Sequence, residues 1–141
     1  MKKILLFSLV ISLFISCKKD DNNNCTLSTA AVAGSYRITA VTYRQTPTSS
    51  ETDYYNVIFT DPCEKDDKYT FNANGTYTFT DAGVKCAPPG DFNGTWSLSG
   101  NTITIDGDPG NVESFNCSTI VVSQTNAIVV GDRLTFTLTR L

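Results

Sequence analysis

The chain has 141 residues, 11 basic and 14 acidic side chains, a formal charge of −3, five cysteines and no histidine. A chain of this length buries one core and leaves no room for a second domain. The lack of histidine excludes Ser-His-Asp and Cys-His catalysis and imidazole-based zinc sites, and an acidic chain without a basic cluster has no electrostatic footprint for nucleic acid.

Met1-Lys2-Lys3 opens the chain, and residues 4–15 are apolar apart from Ser8 and Ser12. This is a positive n-region before a twelve-residue h-region, too short to cross a ~30 Å hydrocarbon core as a permanent helix. It ends in Leu13-Phe14-Ile15-Ser16-Cys17, which resembles the lipobox of bacterial lipoproteins. By that resemblance residues 1–16 are a signal peptide, and Cys17 carries a diacylglyceryl thioether and an acylated amino group. Several chains are needed because one anchors only marginally, each buried methylene adding ~0.8 kcal/mol. The alternative is an ordinary secretory signal that happens to precede a cysteine. Losing Lys2 and Lys3 with the signal takes the formal charge to −5 over the remaining 125 residues. Residues 18–24 are polar and low in complexity, so residues 17–30 are expected to be the lipidated cysteine and a flexible tether ahead of a domain over 31–141. Lys19-Asp20-Asp21 is similar to the Lys-acid-acid signal that displays lipoproteins of Bacteroidetes on the outer face of the outer membrane. The expected location is therefore the cell envelope, as an outer membrane lipoprotein held to the membrane by its N-terminal lipid, with surface exposure one of two alternatives.

From Ala33 onward nearly every segment alternates with a period of two, the pattern of strands with one buried face. Tyr36, Ile38 and Ala40 alternate with Arg37, Thr39 and Val41. Residues 54–59 fit a strand or a helical turn equally. Tyr69 and Phe71, Tyr77 and Phe79, Trp96 and Leu98, and Ile103 and Ile105 follow, with threonine on the other face of most, which suits a pleated, half-buried sheet. Leu134, Phe136 and Leu138 close the series. Eight or nine short antiparallel strands predict an all-β fold, a single up-and-down barrel of about eight strands, with a β-sandwich as the alternative.

Register follows from placing apolar opposite apolar. A three-residue loop Ala73-Asn74-Gly75 sets Phe71 opposite Tyr77 and Tyr69 opposite Phe79, with Gly75 in the left-handed position of a G1 bulge. A two-residue Gly100-Asn101 loop sets Leu98 opposite Ile103 and Trp96 opposite Ile105. Gly131-Asp132 is expected to set Val129 opposite Leu134, and Asp108-Pro109-Gly110-Asn111 reads as a type II turn. With Cys17 lipidated, four cysteines remain in an exported chain, and none forms Cys-x-x-Cys. Cys63 and Cys86 flank the open end of the Tyr69/Phe79 hairpin, which favours Cys63–Cys86. Cys25–Cys117 then pair by elimination.

Val32-Ala33-Gly34-Ser35-Tyr36-Arg37-Ile38 resembles the opening Gly-x-Trp strand of lipocalin-like domains, with Tyr36 in place of Trp. Residues 61–76, together with Gly94-Thr95-Trp96-Ser97-Leu98 and Asn101-Thr102-Ile103-Thr104-Ile105, are similar to the lipocalin-like lipoproteins of Bacteroidetes. The resemblance covers residues 31–141 and implies that Arg140, on the last strand, packs over Tyr36. It also implies a binding protein.

Asp61, Glu64, Asp66 and Asp67 crowd one loop; a solvated loop beside a disulfide is favoured over a calcium site. Asp106-Gly107-Asp108 starts like a calcium loop, but Cys117 stands where the bidentate Glu belongs. Every Asp and Glu is expected in a loop or at a strand end, so no carboxylate pair stands ready for catalysis, and a non-enzymatic protein without cofactor or metal is expected. The candidate ligand pocket is Tyr36, Tyr69, Phe71, Tyr77, Phe79, Trp96 and Phe136, with Phe115 nearby, if these aromatics face the lumen; otherwise they fill it. The reading is a monomeric, lipid-anchored barrel that binds a small hydrophobic molecule. The alternative is a protein-interaction or inhibitor module acting through its loops.

Overall fold

The computed structural model describes residues 25–88 and 90–141. The expected signal peptide, Cys17 and the tether through residue 24 lie outside the described residues. Among the described residues there are nine strands in one antiparallel sheet: β1 Gly34–Arg44, β2 Thr52–Asp53, β3 Lys68–Phe71, β4 Thr76–Thr80, β5 Phe92–Ser99, β6 Thr102–Ile105, β7 Asp108–Phe115, β8 Thr119–Thr125 and β9 Arg133–Arg140. A four-residue helix, α1 (Thr29–Val32), precedes them. A second, α2 (Tyr55–Ile58), falls in the connector from β1 to β3, which settles the open reading of residues 54–59. β1 pairs with both β3 and β9, so eight strands close a ring, and β2 is a two-residue addition on β1. The closed barrel leaves no long unpaired edge.

Up-and-down topology sorts the connections into two ends. The β3–β4, β5–β6 and β7–β8 turns share one end with α1; the other end holds the β1–β3 connector and the β4–β5, β6–β7 and β8–β9 loops. Two hairpins have the register that apolar matching demands: Phe71↔Tyr77 and Tyr69↔Phe79, and Leu98↔Ile103 and Trp96↔Ile105.

Four expectations need correction. The alternation in β1 slips at an irregularity between Ile38 and Ala40, so Val41, not Ala40, turns inward and is fully buried opposite Phe136. Asp108-Pro109-Gly110-Asn111 is not a turn but the start of β7. The turn is Asp106-Gly107, both with positive φ (50° and 95°), the conformation that matches strand twist in a two-residue hairpin. Pro109 fits a strand there because the Val112 N–H donates to the Asn101 carbonyl, which by alternation aims the Pro109 nitrogen away from β6. Val129 does not oppose Leu134, since Gln124 does. Residues 126–132 instead form a loop folded around the buried Asp132 carboxylate, which accepts the N–H groups of Ala127, Ile128 and Val129 at 2.7–3.0 Å. Finally, Glu113 lies within β7, at an irregularity between Val112 and Ser114, where it pairs with Arg133 at 3.2 Å.

Candidate functional site

The α1 end is solid. Val32 and Tyr36 are fully buried, and Phe71 sits at the hub of an aromatic cluster, with ring centroids 5.9 Å from Tyr36, 6.0 Å from Tyr77 and 5.2 Å from Trp96. Each polar tip in it has a partner, as burial requires. The Trp96 indole donates to the Asn72 carbonyl at 2.8 Å, and the Tyr77 hydroxyl donates to Asp106 at 2.6 Å. Tyr36 donates to the Val32 carbonyl and receives Arg140, whose guanidinium carbon is 5.1 Å from the Tyr36 ring centroid. Arg140 also donates to the Ala31 carbonyl, so one cation ties α1, β1 and β9 together.

Above this plug the barrel is hollow. A chamber of about 180 Å³ is lined by Tyr69, Phe71 and Phe136 together with Ile38, Ile103, Ile105, Ile120, Val122 and Leu138. Its wall is apolar apart from the Tyr69 phenol, whose pKa burial pushes up to about 12, with the Asp67 and Glu64 charges adding to the rise. The phenol is therefore neutral, and the chamber has no charge to repel an apolar body. A second hollow of about 210 Å³ shares Ile103, Ile105, Val122 and Phe136 with the first, and is reached past Asp108, Pro109, Gly110 and Gln124. A cavity of about 150 Å³ already accepts benzene, whereas drug-sized pockets begin near 300 Å³. The inner chamber thus takes a ring-sized body, and more only by extending toward the mouth.

Of the seven candidate pocket residues, Tyr69, Phe71 and Phe136 line the chamber. Tyr36, Tyr77 and Trp96 build the plug, and Phe79 stacks on Phe92 at 4.8 Å instead. The aliphatic lining was missed, although its signal was present: Ile103 and Ile105 were already placed on the same face as Trp96 and Leu98. Phe115 packs against the core without touching the chamber.

The acidic loop is engaged by backbone. Asp66 accepts from the Val84 N–H and Asp67 from the Ala82 N–H, while Glu64 accepts from the Asp61 N–H. The Asp66 and Asp67 bonds tie the connector to the β4–β5 loop beside the Cys63–Cys86 bridge (Cα–Cα 5.3 Å). Among the described residues no group of three or more acidic or cysteine side chains is placed to hold a metal ion. The other bridge, Cys25–Cys117, joins the segment before α1 to the β7–β8 turn.

The family described as lipocalin-like domain matches residues 32–130, most of the chain and all of β1 through β8. The chain belongs to the lipocalin-like family. No curated protein matches it. The lipocalin-like match stops short of β9, yet β9 closes the barrel on β1 along eight residue pairs, so the domain includes it. Arg140 lies beside Tyr36, the contact that the sequence resemblance implied.

Proposed function

We propose that this lipocalin-like protein is non-enzymatic and binds a small hydrophobic molecule in its lumen while held at the cell envelope by a lipid on Cys17. The observation that carries the binding role is the apolar chamber, closed below by the aromatic plug. Residues 1–16 as a signal peptide, residues 17–30 as anchor and tether, and a monomeric domain over 31–141 complete the reading. Two disulfides support an oxidising, extracytoplasmic compartment. Among the described residues no helix is long and apolar enough to cross a membrane.

Two measurements test it. Cys17→Ala should release the protein from membrane fractions and abolish labelled palmitate incorporation; labelling that persists refutes the anchor. For the lumen, the Cys17→Ala protein is titrated with toluene. Trp96 is the single tryptophan and packs on Phe71, a chamber residue, so its emission should change saturably. An emission indifferent to toluene means a closed barrel.

A second reading has its own observation. Ile128, Val129 and Val130 are exposed at 52, 47 and 94 % on the loop that Asp132 holds rigid. Apolar tips on a fixed loop suit a protein-interaction or inhibitor module, and a barrel that rejects toluene would favour that role.

A further inference from the structure

The barrel wall is incomplete between β7 and β8. The two strands pair only from Asn111↔Ser123 to Phe115↔Ile120. Beyond Asn111, Asp108, Pro109 and Gly110 pair with β6 alone, and Gln124 and Thr125 pair with β9 alone. The sequence accounts for the gap. Pro109 brings no N–H to a ladder, which ends the β7–β8 pairing before it. At Gly110 itself β7 packs on β8: a Cβ there would lie 2.7 Å from a Val122 methyl, so any side chain must push on Val122 at the edge of the gap.

A hollow lies on each face of the sheet at this point. The inner one, about 210 Å³, runs into the apolar chamber. The outer one, about 240 Å³, is edged by Thr102, Asn111, Ser123 and Thr125. Pro109 and Gly110 line both, so the wall that separates them is only as thick as the β7 backbone. The hollow that shares its lining with the chamber is edged by Asp108, Pro109 and Gly110 of β7 and Gln124 of β8, which puts these residues beside the lumen. Asp108 is the only carboxylate or basic group among the lining residues of all three spaces. The nearby Arg133 is engaged by Glu113.

Building on the lumen reading above, we infer that the ligand is an amphiphile that enters through the β7–β8 slot and leaves its head group seated there. Its body is compact and apolar and occupies the chamber. Its head is a cationic or uncharged hydrogen-bonding group, an amine or alcohol, facing the Asp108 carboxylate and the Gln124 amide. A carboxylate head would meet Asp108 with like charge.

The test is calorimetric titration of the Cys17→Ala protein at pH 7 with hexylamine, 1-hexanol and hexanoate. Hexylamine should bind about fivefold more tightly than hexanoate, the size of effect an exposed charge produces, with hexanol between them. Asp108→Asn should remove the difference between amine and carboxylate without changing hexanol. Gly110→Val should weaken all three by about fivefold or more, its branched side chain standing in the space that Val122 already borders. If that variant fails to fold, Asp108→Asn alone decides. Equal binding of amine and carboxylate, or of wild type and a folded Gly110→Val, overturns the slot and leaves the lumen reading standing. Failure of all three probes to bind overturns both.

Discussion

Carboxylates in this barrel titrate in opposite directions, and the sign of each follows from its neighbours. Asp106 is held below the usual carboxylate range, first by the Tyr77 hydroxyl and then by the Thr95 N–H. Glu113 is lowered by Ser123, then Asn111. At Asp132 burial pushes the pKa up, but the three loop N–H groups and the Tyr43 hydroxyl outweigh it, and the net shift is downward. A depressed folded pKa gives stability that is complete above the unfolded value, about 4, and lost as pH falls toward the folded one. Thermal midpoints should therefore drop through the acid range below about pH 4. Asp132→Asn should lower the midpoint at pH 7 and flatten that acid limb; an unchanged slope would show that the loop N–H groups contribute nothing. Asp67 runs the other way. Burial raises it most, the Ala82 N–H opposes, and the charges of Asp81, Asp66 and Glu64 add to the rise. Its folded state favours the protonated acid, so its contribution declines as pH climbs through the folded pKa. Asp67→Asn keeps an acceptor for Ala82 and should raise the melting temperature at pH 7 but not at pH 3. A lower midpoint at pH 7 would mean that the charge is needed.

Among the elements, some registers were legible in sequence and others were not, for local reasons. The β3–β4 and β5–β6 hairpins have aromatic or branched pairs on one face and Asn-Gly or Gly-Asn at the turn, so only one loop length satisfies both. At β6–β7 two turn signals compete three residues apart, and ranking the Pro-Gly type II turn first passes over Asp-Gly, the stronger hairpin former. Pairing of Ile103 and Ile105 along β7 reverses that ranking. The β8–β9 loop is organised by Asp132 reaching three residues before it, a side-chain cap that alternation does not register. The chamber was half legible because period two reports which face a residue takes, not its depth along the barrel axis. Large rings at the α1 end fill their layer; in the next, Ile, Val and Leu from four strands leave space. Phe71→Ala, at the junction of plug and chamber, should cost ~3–5 kcal/mol in denaturant unfolding. Phe79 lies off the chamber and reaches it only through Tyr69, 5.1 Å away between ring centroids, so Phe79→Ala should shift toluene affinity less than Phe136→Ala, which removes a lining ring. Equal effects of the two would place the chamber wrongly.

At the scale of the molecule, two staples sit at opposite ends of one barrel. Cys63–Cys86 closes a separation of 23 residues and Cys25–Cys117 one of 92. If they act by restricting the unfolded chain, replacing the first pair with serine should cost ~3 kcal/mol and the second ~4–5 kcal/mol. Paired denaturant melts check the order, and a larger loss from the shorter loop would mean that the Cys63 bridge acts by holding the connector in place. The longer bridge has a mechanical consequence as well. A pull on the N-terminal end reaches Cys25 first, and from there a covalent path leads straight into the β7–β8 turn. Without it the load would peel α1 away from Tyr36 and then unzip β1, the strand on which ring closure depends. With it the same tension is shared across the β7–β8 and β8–β9 ladders, so the proposed N-terminal tether would load the domain without opening its seam.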